Sequence, residues 1–142
     1  MQTVRKYQEV NITTASPMEL IVMLYDDCIR SLEKAEKAFD MEGPERIETI
    51  NNTLLHAQDI ITELAVSLDM EKGGQIAQNL QKLYDFMVNH LSHANINKVV
   101  KPVSDVKKMM NELREAWKEV ATKESPREEL PVSSVSSIHI SG

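Results

Sequence analysis

Apolar residues recur at alternating intervals of three and four positions along most of this chain. The most regular run is Ile47, Ile50, Leu54, Ala57, Ile61, Leu64 and Leu68. This spacing keeps apolar side chains on one face of an α-helix and is typical of the buried seam of a helical bundle. Similar runs elsewhere predict four helices in all, at residues 17–39, 44–68, 75–94 and 99–120.

Residues 14–25 give the clearest helix start. Ser16 can cap the helix with its hydroxyl, Pro17 suits the first helical position, and Glu19 can reach back to the Ser16 N–H. Six consecutive apolar residues, 20–25, then exceed what one buried stripe requires. The first helix is therefore expected to contact a second partner, which is the rest of the domain, another chain or a peptide.

The connections between the predicted helices are short. Gly43 frees the backbone where the first helix ends, and Pro44 suits the first turn of the second helix. Residues 69–74 and 95–97 have the composition of turns, and Pro102 must lie in the first turn of the last helix. Four helices of about 20 residues joined in this way predict an all-α fold, an antiparallel up-down four-helix bundle.

Both ends of the chain lack a helical period. We interpret residues 1–15 as an N-terminal strap that docks on the bundle through its apolar side chains, with a frayed terminus as the alternative. Residues 122–142 contain two prolines and six serines and are predicted to form a flexible tail. The four-helix bundle itself is predicted to span residues 16–121.

Composition excludes several classes of protein. The 142 residues have a net charge of −6 and form no basic stripe, so nucleic acid is not an expected partner. No apolar run approaches the length of a membrane-spanning helix, so no membrane insertion is expected, and the N-terminus does not resemble a signal peptide. A single cysteine fits a reducing compartment.

Candidate catalytic and metal-binding residues are few. His90 and His93 are close enough on one helix to share a metal ion, but no third ligand is obvious, so both are expected to face solvent. His56 is interpreted as an ordinary helical residue. Cys28 is expected to pack as a small hydrophobic residue rather than act as a nucleophile. We therefore expect no enzyme activity, no catalytic residue, no metal and no cofactor.

Two further features have ordinary interpretations. Acidic residues cluster at Asp26 and Asp27 and again within residues 40–48. Such clusters are usually solvated faces, and both are interpreted as lying at turns. Gly73 and Gly74 follow no predicted strand and have no lysine at phosphate-loop spacing, so they do not indicate a nucleotide site.

The remaining signal is surplus hydrophobicity. Besides residues 20–25, further apolar residues lie off the predicted seams, among them Leu55, Ile60 and Val88. Eight methionines add soft side chains that accommodate varied partners. These residues either thicken the core as half-buried positions or line an exposed groove for an amphipathic segment.

Several segments also carry a family resemblance. They are TASPMELIVMLYDDCIR at 14–30, HAQDIITEL at 56–64, the two glycines before 76–83, LYDFM at 83–87 running on to Ala94 and Asn95, and LREAW at 113–117. In order and spacing they resemble the flagellin-specific export chaperones, the FliS family. The resemblance covers roughly residues 7–120.

The resemblance implies a cytoplasmic four-helix bundle that binds the disordered C-terminal segment of flagellin. Such a protein prevents premature polymerisation and delivers flagellin to the flagellar type III export apparatus, whose export gate is a second expected partner. It also implies that the strap occupies part of the groove and yields to the client.

The predicted client-binding residues come from the strap, from the surplus apolar residues and from the helical seams: Tyr7, Val10, Ile12, Leu20, Met23, Leu24, Tyr25, Leu55, Leu64, Leu68, Tyr84 and Met87. The alternative function is a helical homodimer, structural or adaptor in role, that binds a regulatory partner. Weak self-association is compatible with either function.

Overall fold

The computed structural model describes residues 17–122, which form four α-helices. They are α1 (Pro17–Phe39), α2 (Arg46–Val66), α3 (Met70–Asn97) and α4 (Lys101–Thr122). The predicted all-α four-helix bundle is confirmed. The predicted strap and all but the first residue of the predicted tail lie outside the described residues. Within residues 17–122, no helix is both long and apolar enough to cross a membrane.

The four helices form a ring in which each packs against its neighbours in sequence and α4 packs against α1. Asp27 contacts His56, and Ser31 contacts the Thr53 carbonyl. Residue numbers therefore increase along α1 in the direction in which they decrease along α2. Adjacent helices are therefore antiparallel, and the bundle has two different ends. The turn end holds the α1–α2 and α3–α4 connections, and the open end holds the start of α1, the α2–α3 connection and the end of α4.

Helix α3 begins earlier than predicted, because residues 69–74 are more than a turn. The Asp69 carboxylate accepts hydrogen bonds from the N–H groups of Glu71 and Lys72 and thereby caps a first helical turn. Gly74 then has φ 54° and ψ −131°, a conformation that glycine adopts far more readily than other residues. The predicted turn is thus a capped helical turn followed by a kink.

Helix α3 also ends later than predicted. Residues 95–97, predicted as a break, are helical, and the chain turns at Lys98 in the left-handed conformation with φ 52°. The N–H groups of Lys98 and Val99 both donate to the Ala94 carbonyl, which closes the helix end. Helix α4 starts at Lys101, and Pro102 lies in its first turn, as predicted.

The core is mostly aliphatic, with Tyr25, Tyr84 and Trp117 buried in it, and the predicted seams supply most of it, including the fully buried Ile50 and Leu54. The prediction of burial is wrong for Ile47, which is 46% exposed, and Val99, predicted as the first residue of the fourth helix, lies before α4 and is 40% exposed. Both lie at the turn end, beyond the level at which neighbouring helices cover them. Ile60, predicted to lie off the seam, is fully buried. Because α2 packs against both α1 and α3, its buried face is wider than one seam.

Candidate functional site

The first half of α1 places its apolar side chains at two depths. Leu20 and Met23 are half-buried, whereas Leu24 is almost completely buried and Tyr25 is completely buried. Six consecutive apolar residues cannot all face inward on a helix with 3.6 residues per turn, so the run is divided between core and surface. Residues 20–25 therefore fill the core and also leave an apolar surface on α1 near the open end.

The other predicted client-binding residues are divided in the same way. Three belong to the core and are at most 1% exposed: Leu64, Tyr84 and Met87. Leu68 is half-buried just after α2, and Leu55 is 52% exposed on the outer side of α2. Outside the described residues lie Tyr7, Val10 and Ile12. Without a rearrangement of the core, a partner can contact only Leu20, Met23, Leu55 and Leu68 among the described members of the set.

Apolar residues that are only partly covered gather at the open end. The start of α1 and the end of α2 meet there because the two helices are antiparallel. Val66 is 74% exposed and Met70 is 44% exposed beside this junction. We use the name open-end surface for five of these residues: Leu20, Met23, Val66, Leu68 and Met70. These residues lie on α1, α2, the α2–α3 connection and the start of α3, all at the same end of the bundle.

A buried chain of hydrogen bonds lies beneath this surface. The hydroxyl oxygens of Tyr25 and Tyr84 are 2.5 Å apart, and Trp117 Nε1–H donates to the Tyr25 oxygen at 3.0 Å. The Tyr25 and Trp117 rings meet edge to face with centroids 6.4 Å apart. Burial raises the pKa of both tyrosines, so both hydroxyls stay protonated. The three side chains thereby connect α1, α3 and α4.

Cys28 is also part of the core. Its side chain is fully buried, and its sulfur lies 3.8 Å from the Ala57 carbonyl oxygen, to which the thiol can donate. Burial, with a smaller contribution from the neighbouring Asp27 carboxylate, raises the pKa of the thiol. The nucleophilic thiolate is therefore disfavoured. The prediction that Cys28 packs as a small hydrophobic residue is confirmed.

The acidic pair in α1 connects helices, and the interpretation that it lies at a turn is wrong. Asp26 accepts a hydrogen bond from Arg114 Nε of α4 at 2.5 Å, and this contact raises the pKa of the arginine. Asp27 lies 3.2 Å from His56 Nε2 of α2. His56 is therefore not the ordinary surface residue that the sequence suggested. Neither contact could be read from helical spacing, because each joins residues far apart in the chain.

His90 is half-buried, so the prediction that it faces solvent is wrong, while His93 is exposed as predicted. The His90 ring stacks on Phe86 with centroids 4.8 Å apart, and its Nε2 lies 3.3 Å from the Asp105 carboxylate. A hydrogen bond from Lys101 lowers the pKa of the Asp105 carboxyl, and the hydrogen bond from His90 makes a smaller contribution in the same direction. Across residues 17–122, no three His, Cys, Asp or Glu side chains are grouped closely enough to hold a metal ion.

Comparison with known proteins identifies the family. The family described as Flagellar protein FliS matches residues 1–124. The flagellar secretion chaperone FliS of Salmonella typhimurium is 34% identical over 130 residues, which cover 88% of this chain and 94% of that protein. The chain belongs to the FliS family. FliS of Bacillus subtilis is 31% identical over 118 residues, covering 83% of this chain and 85% of that protein. FliS of Vibrio cholerae is 33% identical over 122 residues, covering 83% of this chain and 88% of that protein.

FliS membership confirms the resemblance drawn from the segments in the sequence. The relatives bear the names of flagellar secretion chaperones, and FliS is a family of chaperones rather than of enzymes. The family match includes residues 1–16, and it stops before residues 125–142.

Two residues of the open-end surface, Val66 and Met70, were not predicted from the sequence. Val66 lies off the seam of α2, as Leu55 does, and helical periodicity does not distinguish the two positions. Met70 was assigned to a turn, although Asp69 directly before it is a preferred helix cap and could have placed the start of α3 there. The depth of a side chain in the bundle is the information that the pattern lacks.

Proposed function

We propose that this FliS family protein is a cytoplasmic export chaperone for flagellin. It binds the disordered C-terminal segment of flagellin, prevents premature polymerisation and delivers the subunit to the flagellar type III export apparatus. The observation that supports this role most is the open-end surface, where partly covered apolar side chains of three elements meet. Its relatives' names as flagellar secretion chaperones support it independently.

The client segment covers the open-end surface. Leu20, Met23 and Leu68 are half-buried and can bury more apolar area against a client helix, and Leu55 extends the contact along α2. The core residues of the predicted set support this surface from beneath: Leu24, Tyr25, Leu64, Tyr84 and Met87. Covering the apolar face of a polymerisation segment removes the contact that nucleates filaments.

The N-terminal strap is proposed to cover part of the same surface until the client displaces it. On this proposal, Tyr7→Ala and Ile12→Ala change client affinity more than the free energy of unfolding, because both residues lie outside the four seams predicted from the sequence. Isothermal titration and chemical unfolding of the same two variants compare the two quantities. Equal losses of unfolding free energy and of client affinity would contradict this proposal and indicate that the strap is part of the folded core.

The client has to contact several elements at once. Ordering a disordered chain costs about 1 kcal/mol or more per residue, whereas apolar burial returns about 25 cal/mol per Å². A contact with one helix would not offset that cost, so the segment is proposed to wrap the bundle as helices and extended chain. Hydrogen exchange with and without a flagellin C-terminal peptide tests this. Protection confined to one helix would contradict wrapping.

Isothermal titration with flagellin tests the function itself. Full-length flagellin should bind, and flagellin without its C-terminal segment should not. Leu20→Ser should weaken binding about tenfold, because it removes a half-buried apolar contact. Ile47→Ser at the turn end is the matched control and should bind normally.

Equal binding of the truncated flagellin would overturn the proposal. So would equal affinities of the Leu20 and Ile47 variants. Sedimentation of the protein alone addresses the alternative, since a stable dimer without client would favour a homodimeric adaptor.

A further inference from the structure

Exposed apolar side chains gather at the turn end, away from the open-end surface. Five residues form what we call the turn-end patch, with exposed fractions from 36% to 80%: Met41, Ile47, Ile96, Val99 and Val100. The Lys98 ammonium lies 3.2 Å from the Asn51 side-chain oxygen, which holds the α3–α4 turn against the first turns of α2. Single exposed apolar residues are ordinary, but a concentration of them marks an interaction surface.

The backbone under the patch is well anchored. The Arg46 guanidinium donates two hydrogen bonds to the Phe39 carbonyl, at 3.2 Å and 3.3 Å, and lies over the Phe39 ring. The Lys98 ammonium donates to the Asn95 carbonyl at 2.6 Å as well as to Asn51. These contacts satisfy groups at the ends of α1 and α3. The patch is therefore a formed surface rather than a frayed helix end.

The charge beside the patch is mainly acidic. Four carboxylates in and after the α1–α2 turn are exposed, and none forms an ion pair within residues 17–122: Asp40, Glu42, Glu45 and Glu48. The cations at this end are mostly engaged, Arg46 and Lys98 as described above and Lys101 with Asp105. Lys37 is the one exposed cation in the last turn of α1. The charge available to a partner at this end is thus negative.

We infer that the turn-end patch is a docking surface for a basic amphipathic segment of another protein. The apolar face of that segment covers the patch, and its Lys or Arg side chains lie against the four carboxylates. A second copy of this chain fits poorly, because a two-fold contact would bring the same carboxylates together. The inference adds to the proposed function and does not depend on flagellin binding.

The position of the patch allows both partners to bind together. The 23 residues of α1 run from the open end to the turn end, a distance of roughly 35 Å at 1.5 Å per residue. A client whose wrapping is limited to the open-end surface and the neighbouring part of α2 therefore leaves the turn-end patch uncovered. A chaperone with two such surfaces can hold its client while a second protein recognises the loaded bundle.

A pair of synthetic peptides provides the test. One is an amphipathic helix of leucine and lysine about five turns long, and the other has the same leucines with glutamate in place of lysine. Nuclear magnetic resonance titration of the full chain should show perturbations from the lysine peptide at residues 40–51 and 94–101. The glutamate peptide should produce none there.

Three variants sharpen the result. Ile47→Ser combined with Val99→Ser should weaken binding of the lysine peptide about tenfold, and Glu45→Lys should weaken it as well. Val66→Ser removes an exposed apolar residue at the open end and should leave the affinity unchanged. Circular dichroism checks that each variant is folded. All of them except Val66→Ser should bind flagellin normally, so failure here is distinguishable from failure of the proposed function.

Other outcomes overturn the inference. Equal binding of both peptides would mean that the charge does not select the partner. Perturbations centred on residues 17–25 or 64–70 would place the peptide on the open-end surface instead. Concentration-dependent dimerisation that Ile47→Ser abolishes would make a second copy the occupant.

Discussion

The two ends of the bundle are held together by different forces. Towards the turn end, directional contacts connect the helices, among them Glu36 with Ser104 and Lys107, at 2.7 Å and 2.8 Å. Towards the open end, beyond Tyr25 and Asp26, buried apolar side chains such as Leu64 and Ile76 pack between the described helices, and α3 is kinked at Gly74. Hydrogen bonds fix one geometry, whereas apolar contacts tolerate several. The difference indicates that the turn end sets the arrangement of the helices, whereas the open end tolerates several arrangements, as the proposed client binding requires.

The largest expected effect tests whether the open end belongs to the cooperative core. Leu64→Ala should lower the free energy of unfolding by about 2–5 kcal/mol, because the side chain is 1% exposed and leaves a cavity. Leu55→Ala on the same helix, where the side chain is 52% exposed, should cost about 0.5 kcal/mol or less. Urea unfolding of both variants gives the comparison. Similar small losses would mean that the open end is not packed as described.

The tyrosine chain at the border between the two regions gives the next effect. Tyr25→Phe should cost about 2–3 kcal/mol, because it leaves both the Trp117 N–H and the Tyr84 hydroxyl buried without their partner. Tyr84→Phe should cost about 1 kcal/mol, since the Trp117–Tyr25 bond survives. Thermal unfolding followed by circular dichroism ranks the two variants. A larger loss of stability for Tyr84→Phe than for Tyr25→Phe would show that Tyr25 is not the central residue of the hydrogen-bond chain.

Two glycines allow strain to be introduced at either end. Gly74→Ala should cost about 1–2 kcal/mol, because alanine is strained at φ 54° even though nothing lies within 4 Å of the added methyl group. Gly43→Ala places comparable strain at the turn end, at φ 102°. In hydrogen exchange, Gly74→Ala should raise the amide exchange rates of residues 70–77. Gly43→Ala should raise those of residues 40–46. Faster exchange at both ends in either variant would contradict the conclusion that the two ends behave independently.

The smallest effect depends on pH and belongs to the turn end. Partial burial alone would raise the pKa of Glu36, but hydrogen bonds from Lys107 and Ser104 outweigh it and lower the pKa. The stabilisation is thus present above the ordinary carboxyl pKa and is lost as pH falls through the lowered folded value. Glu36→Gln should cost about 1 kcal/mol near neutral pH and less in acid. Glu33→Gln, on the exposed side of α1, is the matched control and should show neither effect.

Much of the fold could be predicted because burial imposes a period on the sequence. The seam that contains Leu54, Ile61 and Leu64 in α2 is spaced as a bundle requires, and these three residues are buried. Helix ends were predicted less well, because they depend on particular hydrogen bonds. The Asp69 cap and the left-handed Lys98 moved both ends of α3 relative to the prediction.

Less of the candidate site could be predicted, because hydrophobicity does not specify depth. Leu20 and Tyr25 look equally suited to bind a client in the sequence, yet one is half-buried and the other is in the core. The pairing of Asp26 with Arg114 joins residues 88 positions apart, so it follows only from the packing of α1 on α4. That the predicted residues bind a client stays a prediction.

Trp117 is an intrinsic fluorescent probe at the border between the turn end and the open end. It is the only tryptophan in the chain, it is 6% exposed, and its N–H is engaged by Tyr25. Its fluorescence therefore comes from a single dry, hydrogen-bonded environment. A partner that covers only the surface leaves the emission maximum in place, whereas a partner that separates α1 from α4 lets water reach the indole and moves the maximum to longer wavelength.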